Sequence, residues 1–253
     1  YAGTLSAMRI TELVTYRTAI QPNVCILALR TDEGLTGLGE SFWGAEAVEA
    51  YLHSTAAPIL AGLADLTPAA AQVALRPYVG YAGSGAEIRG IGAVDIALWD
   101  LLGRATGRSV MRLLGGPVVP SIRVYNTCAG YAYVSRENRQ SSGNWGLPTA
   151  AADDRPYEDL QGFMERPAAL ARSLLSEGYT ALKVWPFDPA AEATRGGDLP
   201  YADLRKGMAV LEAIRGEVGD AMDILIELHG LWNVKGAVTL LRELETIRPW
   251  WVE

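Results

Sequence analysis

Histidine and cysteine are almost missing from this chain: two of each in 253 residues. That scarcity argues against a zinc site built from His and Cys. Cys25 and Cys128 are too few for a disulfide scaffold and suit a reducing, cytoplasmic compartment. Basic residues are also short, 22 Lys and Arg against 29 Asp and Glu, for a net charge of -7. Nothing in that balance offers the basic face that a nucleic-acid backbone would need. No uninterrupted apolar run is long enough to span a bilayer, so no membrane partner is expected. The opening "YAGTLSAMRITEL" lacks the charged-then-apolar layout of a signal peptide. What is abundant is apolar surface: 49% of residues are hydrophobic, enough for one large domain or two smaller ones with a substantial core.

The first part of the chain mixes strand and helix. "VCILALRTDEGLTGLGE" places two extended runs around a turn at Asp32, Glu33 and Gly34, a hairpin signal. Helical patterns follow in "AEAVEAYLHSTAAPILAG" and in "TPAAAQVALRPYVG", where Thr67 is the N-cap ahead of Pro68. In "GAVDIALWDLLGRATGR", Val94, Leu98, Leu101 and Leu102 fall on one helical stripe. His53 sits in an amphipathic helix and reads as structural, and the glycines of "GYAGSGAE" read as a loop, because no strand leads into them. "LLGGPVVP" then punctuates the chain, which predicts domains over 1–118 and 119–253.

Beyond that boundary the rhythm becomes strand, helix, strand, helix. "SIRVYNT", "YTALKVW", "DILIELHG" and "PWWVE" are the strand candidates, with helices "RPAALARSLLSEG", "ADLRKGMAVLEAIRGEVG" and "VKGAVTLLRELETI" between or beside them. The last helix carries Ala237, Leu240, Leu241, Leu244 and Ile247 on one side. A polar stretch from Ser135 to Asp159 is too long for an ordinary connection. The alternation predicts an α/β arrangement of parallel βα units.

Three successive strands end in polar residues: Lys183, then Glu227 and His229, then Glu253. On an extended chain Glu227 and His229 share a face about 6–7 Å apart, and Lys183 shares a face with Trp185. One strand ending in Glu is commonly a strand reaching water. Three together also fit a site at the C-terminal strand ends of a barrel, where two converging carboxylates repel and a hard divalent cation relieves the repulsion. The pattern alone leaves both readings open. Trp232, Trp250 and Trp251 read as packing residues.

The chain resembles the mandelate racemase branch of the enolase superfamily over essentially its whole length. "EGLTGLGES" and "GAVDIALWDLLGRATGRSVMRLLGG" resemble that branch's N-terminal capping domain, and "ALKVW", "DILIELHG" and "WWVE" resemble barrel strands two, three and four. The resemblance implies an α+β capping domain followed by a modified TIM barrel, of which this chain holds about the first four βα units. It also implies Mg2+ held by carboxylates at consecutive strand ends, with Glu227 and Glu253 as the first two ligands. The third ligand and a His–Asp base are then expected beyond Glu253, and the natural chain is expected to continue by roughly another hundred residues. In such sites a divalent cation on a substrate carboxylate stabilises the charge that α-proton abstraction creates.

Two departures shape the functional expectation. The racemase pattern ends strand two in Lys-x-Lys with the second lysine a base, whereas here Trp185 holds that place. Lys183 is therefore expected to bind a substrate carboxylate. The Glu-x-His of "IELH" is similar to that of sugar-acid dehydratases, where the histidine assists the departing hydroxyl, although those enzymes carry Asp where this chain has Glu227. The expected activity is a magnesium-dependent hydro-lyase acting on a sugar acid, with His229 and Lys183 catalytic and Lys183, Trp185 and Trp43 binding substrate. Specificity is expected in "RTAIQPN", around Trp43 and in the 135–159 stretch. Alternatives are an epimerase, racemase or lactone cycloisomerase of the same superfamily, or a metal-stabilised binding protein. A small-molecule sugar-acid substrate and a homo-oligomer complete the expectation.

Overall fold

The computed structural model of the chain describes residues 8–76, 85–130 and 159–253. The polar stretch expected from Ser135 onward lies outside the described residues except for Asp159, and so do Gly80 and Gly83 of the glycine loop. The chain divides into two compact units that part between Ser121 and Ile122.

In the first unit, β1 (Ile10–Arg17), β2 (Val24–Thr31) and β3 (Thr36–Phe42) form an antiparallel sheet in chain order. The expected hairpin is present: Gly34 takes a positive φ of 77°, and its N–H donates to the Thr31 carbonyl. Alternation along β2 buries Cys25, Leu27 and Leu29 completely. The pattern expected as one helix from Ala45 is α1 (Ala45–Tyr51), a π-helical turn over Leu52–Ala56, and α2 (Ala57–Ala61). That wide turn keeps Leu52 and Ala56 both buried. His53 lies in it with Nε2 2.9 Å from Thr15 Oγ1, a structural contact. The Thr67 hydroxyl caps α3 (Pro68–Leu75) by accepting from the Ala70 N–H at 3.2 Å.

The long helix α4 (Ala86–Thr106) lies against β3 because neither side presents bulk there. A Cβ built on Gly39 would stand 2.0 Å from the Ala93 carbonyl oxygen, and one on Gly37 would stand 2.2 Å from that of Ala97. The stripe of Val94, Leu98, Leu101 and Leu102 is buried as the spacing predicts. A four-residue helix, α5 (Val110–Leu113), follows.

The second unit opens on α6 (Asp159–Glu165) and α7 (Pro167–Ser176), then β4 (Ala181–Val184), α8 (Asp188–Thr194), α9 (Tyr201–Val218), β5 (Asp223–Ile226), α10 (Val234–Leu244) and β6 (Trp251–Val252). Strands β4, β5 and β6 are parallel neighbours in chain order, as in consecutive βα units. Leu182, Val184, Ile224 and Ile226 face a core supplied by Leu170, Leu174, Met208, Leu211 and Ile214 of α7 and α9. Helix α8 had no counterpart among the expected elements.

Three expectations need correction. "SIRVYNT" contributes a single parallel bridge, Asn126 to Leu182, and Ile122 and Val124 are exposed. No described strand pairs with its outer edge, and along its backbone Asn126 alone exchanges hydrogen bonds with β4, at Ala181 and Lys183. Strand β5 ends at Ile226, ahead of Glu227 and His229. Leu241, expected on the buried side of α10, is 43% exposed, while Leu240 and Leu244 carry the packing.

Two glycines should answer to alanine with opposite sign. Gly39→Ala drives a methyl group into the Ala93 carbonyl and is expected to destabilise the protein by about 1–3 kcal/mol. Gly92→Ala has open space inside α4 and is expected to stabilise it by about 0.5–1 kcal/mol. Urea denaturation of the pair checks both; equal effects would show that β3 and α4 do not pack this closely.

Candidate active site

The parallel register builds the site. Lys183, Leu225 and Trp251 lie side by side across the three strands, and Val184, Ile226 and Val252 form the next row. Because the last row turns toward the helices, Lys183 and Leu225 point to the opposite face, and so do the residues one step beyond it. Those residues are Glu227 and Glu253. The ladder carries them in place: the Glu227 N–H donates to the Val184 carbonyl at 3.0 Å and the Glu253 N–H to the Ile226 carbonyl at 2.8 Å.

Lys183 reaches up from its row and divides its charge between them. Its Nζ donates to Glu227 Oε2 at 2.8 Å and to Glu253 Oε2 at 2.8 Å. Lys183 and Glu227 are buried, whereas the Glu253 side chain is 56% exposed. Burial alone would lower the Lys183 pKa, but its hydrogen bonds to the two glutamates outweigh that and hold it above the ordinary lysine range. Burial likewise pushes the Glu227 carboxyl upward, and the Lys183 ammonium with the His229 backbone N–H outweighs it, leaving the group below the usual carboxylate range. The Tyr125 ring completes the lysine's surroundings, its centroid 5.7 Å from Nζ.

Past Glu227 the chain leaves the extended conformation. His229 has a φ of 50°, in the left-handed region, followed by Gly230 at 62°. An extended chain would stack the Glu227 and His229 side chains on one face. Here the His229 N–H instead turns back to donate to Glu227 Oε1 at 2.8 Å, so one carboxylate is held from both ends. The imidazole meets a residue absent from the expected site: His229 Nδ1 lies 2.7 Å from Oδ2 of Asp188, which is fully buried at the start of α8. Burial raises the Asp188 pKa, and the hydrogen bond to His229 works against that rise.

Trp185 departs from the expected alternation. Strand β4 ends at Val184, and the indole packs in the helix-side core, edge-on to Phe163 at 5.4 Å and to the His229 ring at 5.6 Å between centroids. It backs the imidazole rather than lying beside Lys183 on the sheet face. Trp43 belongs to the first unit, at a positive φ of 82° between β3 and α1. The structure thus brings together Lys183, Glu227, Glu253, His229 and Trp185. Sequence reading missed Asp188 and Tyr125. Asp188 precedes Pro189 at a helix start, where Asp reads as helix punctuation, and nothing local ties it to a histidine 41 positions on.

Among the described residues no group of three or more His, Cys, Asp or Glu is arranged to hold a metal ion. Two carboxylates converging on one ammonium are nevertheless hard oxygen donors already drawn to a shared positive charge, a donor set that suits a hard divalent cation. No helix among the described residues is long and apolar enough to cross a membrane.

Residues 7–115 match the mandelate racemase / muconate lactonizing enzyme N-terminal domain, and residues 166–253 match the enolase C-terminal domain-like family. The D-galactonate dehydratase of Verminephrobacter eiseniae is 30% identical over 253 residues, covering 97% of this chain and 55% of that protein. The D-gluconate dehydratase of Thermoproteus tenax is 31% identical over 163 residues, covering 64% of this chain and 26% of that protein. The crystal structure of an enolase of the mandelate racemase subgroup from Agrobacterium tumefaciens superposes with a TM-score of 0.78 at 38% identity, covering 96% of this chain and 56% of that one. The chain spans about half the length of the galactonate dehydratases it matches.

The depressed Glu227 and elevated Lys183 pKa values set a pH window. Glu227 contributes stability above its ordinary value of 4.5 and loses it as pH falls through the lower folded value. Lys183 contributes below its ordinary 10.5 and loses it as pH rises through the higher folded value. In metal-free protein Glu227→Gln is expected to cost about 1–3 kcal/mol at neutral pH, a difference that shrinks as pH falls below 4.5. Urea denaturation of both proteins at neutral and acid pH measures it; a difference independent of pH would contradict the paired assignment.

Proposed function

Because the chain belongs to the mandelate racemase/muconate lactonizing branch of the enolase superfamily, we propose that it contributes the first half of the active site of a sugar-acid dehydratase. The observation that carries this reading is the shared ammonium: Lys183 holds Glu227 and Glu253 on one face, beside an imidazole anchored through Glu227. The dehydratases of galactonate and gluconate among its relatives indicate the class of substrate, a polyhydroxylated monocarboxylate. The fold is proposed to be a capping domain over 1–118 and the opening βα units of a TIM barrel over 119–253.

Glu227 and Glu253 are the proposed Mg2+ ligands, and the bound cation supplies Lewis-acid stabilisation to the carboxylate of the substrate. Lys183, which neutralises both glutamates here, would pair with the substrate carboxylate if Glu227 and Glu253 held the cation. His229 is the proposed general acid, delivering a proton to the hydroxyl that leaves from the β-carbon. Trp185 closes the wall behind the imidazole and limits water there. Trp43 is proposed as a substrate-binding residue. Dehydration is favoured over two-base racemisation by Trp185, which stands where the second base would be and is packed into the core.

Two variants of the complete protein test this reading across a panel of sugar acids. Glu227→Gln is expected to abolish activity and its magnesium dependence while the protein stays folded; full activity would refute the ligand assignment. His229→Asn is expected to slow dehydration by about 10²–10⁴ while the substrate's α-proton still exchanges with deuterated solvent. NMR reads both processes in one sample. Loss of exchange together with dehydration would make His229 the base, and unchanged dehydration would remove it from the reaction.

A further inference from the structure

We propose that Asp188 is a positioning residue that fixes His229 in the Nδ1–H tautomer, assigning any acid–base work of the ring to Nε2. The geometry is direct. Asp188 Oδ2 and His229 Nδ1 are 2.7 Å apart, and the carboxylate is fully buried while the imidazole keeps 20% exposure. An ionised carboxylate only accepts, so the nitrogen facing it carries the proton. The other three sides of the ring's setting reinforce one orientation. Its backbone N–H is tied to Glu227, its ring packs near-perpendicular to Trp185, and the left-handed turn at His229 aims the side chain back toward α8. Asp188 Oδ1 has no hydrogen-bond partner among the described residues, so the imidazole is the one described group that compensates this carboxylate. A buried carboxylate kept for packing alone would be costly, and the cost makes sense where it orients a reactive ring. The burial that raises the Asp188 pKa is opposed by this same contact.

The pair joins the ends of two successive βα units. Asp188 follows β4 and His229 follows β5, so the tautomer depends on β4 and β5 being in register. A ring held this way cannot rotate its proton-bearing nitrogen toward Asp188 and away from it in turn, and one nitrogen serves the reaction throughout.

Ring nitrogens of 15N-histidine-labelled protein report the tautomer directly: the His229 signals are assigned by their loss in His229→Asn, and those of His53, whose Nε2 contact with Thr15 lies in the other unit, serve as a reference. At alkaline pH, with the ring neutral, the wild-type His229 is expected to be almost entirely the Nδ1–H tautomer. In Asp188→Asn, whose amide can donate to Nδ1, and in Asp188→Ala, it is expected to move to mainly Nε2–H while the His53 signals stay put. An Nε2–H tautomer in wild type, or the same tautomer in all three proteins, would overturn the inference, and the wild-type reading stands even if a variant folds poorly.

The catalytic consequence rests on the reading of His229 as the general acid. In the complete protein, Asp188→Asn is then expected to slow dehydration by about 10²–10³ with KM and α-proton exchange retained. A tautomer shift with undiminished dehydration would uphold Asp188 as the positioning residue and refute the role proposed for His229.

Discussion

A single ammonium shared by two carboxylates organises the C-terminal end of the parallel sheet. Two carboxylates brought to one place repel, and Lys183 offsets that repulsion with two attractions. The arrangement exists only because β4, β5 and β6 are parallel and in register, which puts Lys183 two rows below Glu227 and Glu253 and on the same face. A slip of one residue in any strand would turn its polar side chain into the helix-packed core. The apolar rows facing α7 and α9 therefore fix the register that the polar face needs.

From that anchor the remaining parts follow in order. Glu227 is held by Lys183 on one oxygen and by the His229 N–H on the other, so the carboxylate and the turn after it are one unit. That turn delivers the imidazole to Asp188 and to the edge of Trp185. In the proposed dehydratase, neighbouring strand ends would serve different tasks: charge stabilisation at the two glutamates, substrate anchoring at Lys183 and proton delivery at His229.

The frame of this site was legible in the sequence, and its finer geometry was not. Strand-end polarity at Lys183, Glu227 and Glu253 could be read because apolar runs locate the strands and their ends within a residue or two. The hairpin at Gly34, the cap at Thr67 and the stripe from Val94 to Leu102 were legible for a similar reason, since each depends on neighbours a few positions away. The left-handed turn at His229 was not, because histidine has no strong preference for it and the hydrogen bond to Glu227 that stabilises it forms only in place. Trp185 escaped the alternation rule because β4 stops one residue before it. Asp188 was invisible for the deepest reason: its partner lies one βα unit away, and only the folded register brings them together.

Glu227 and Glu253 are proposed to share a cation, and in this structure the Lys183 ammonium holds that place. Anomalous diffraction from crystals grown with manganese measures this most directly. One anomalous peak within ligand distance of both carboxylates is expected, with the Lys183 Nζ moved away from at least one of them. Saturating manganese with no peak there and Lys183 still bridging both glutamates would contradict it.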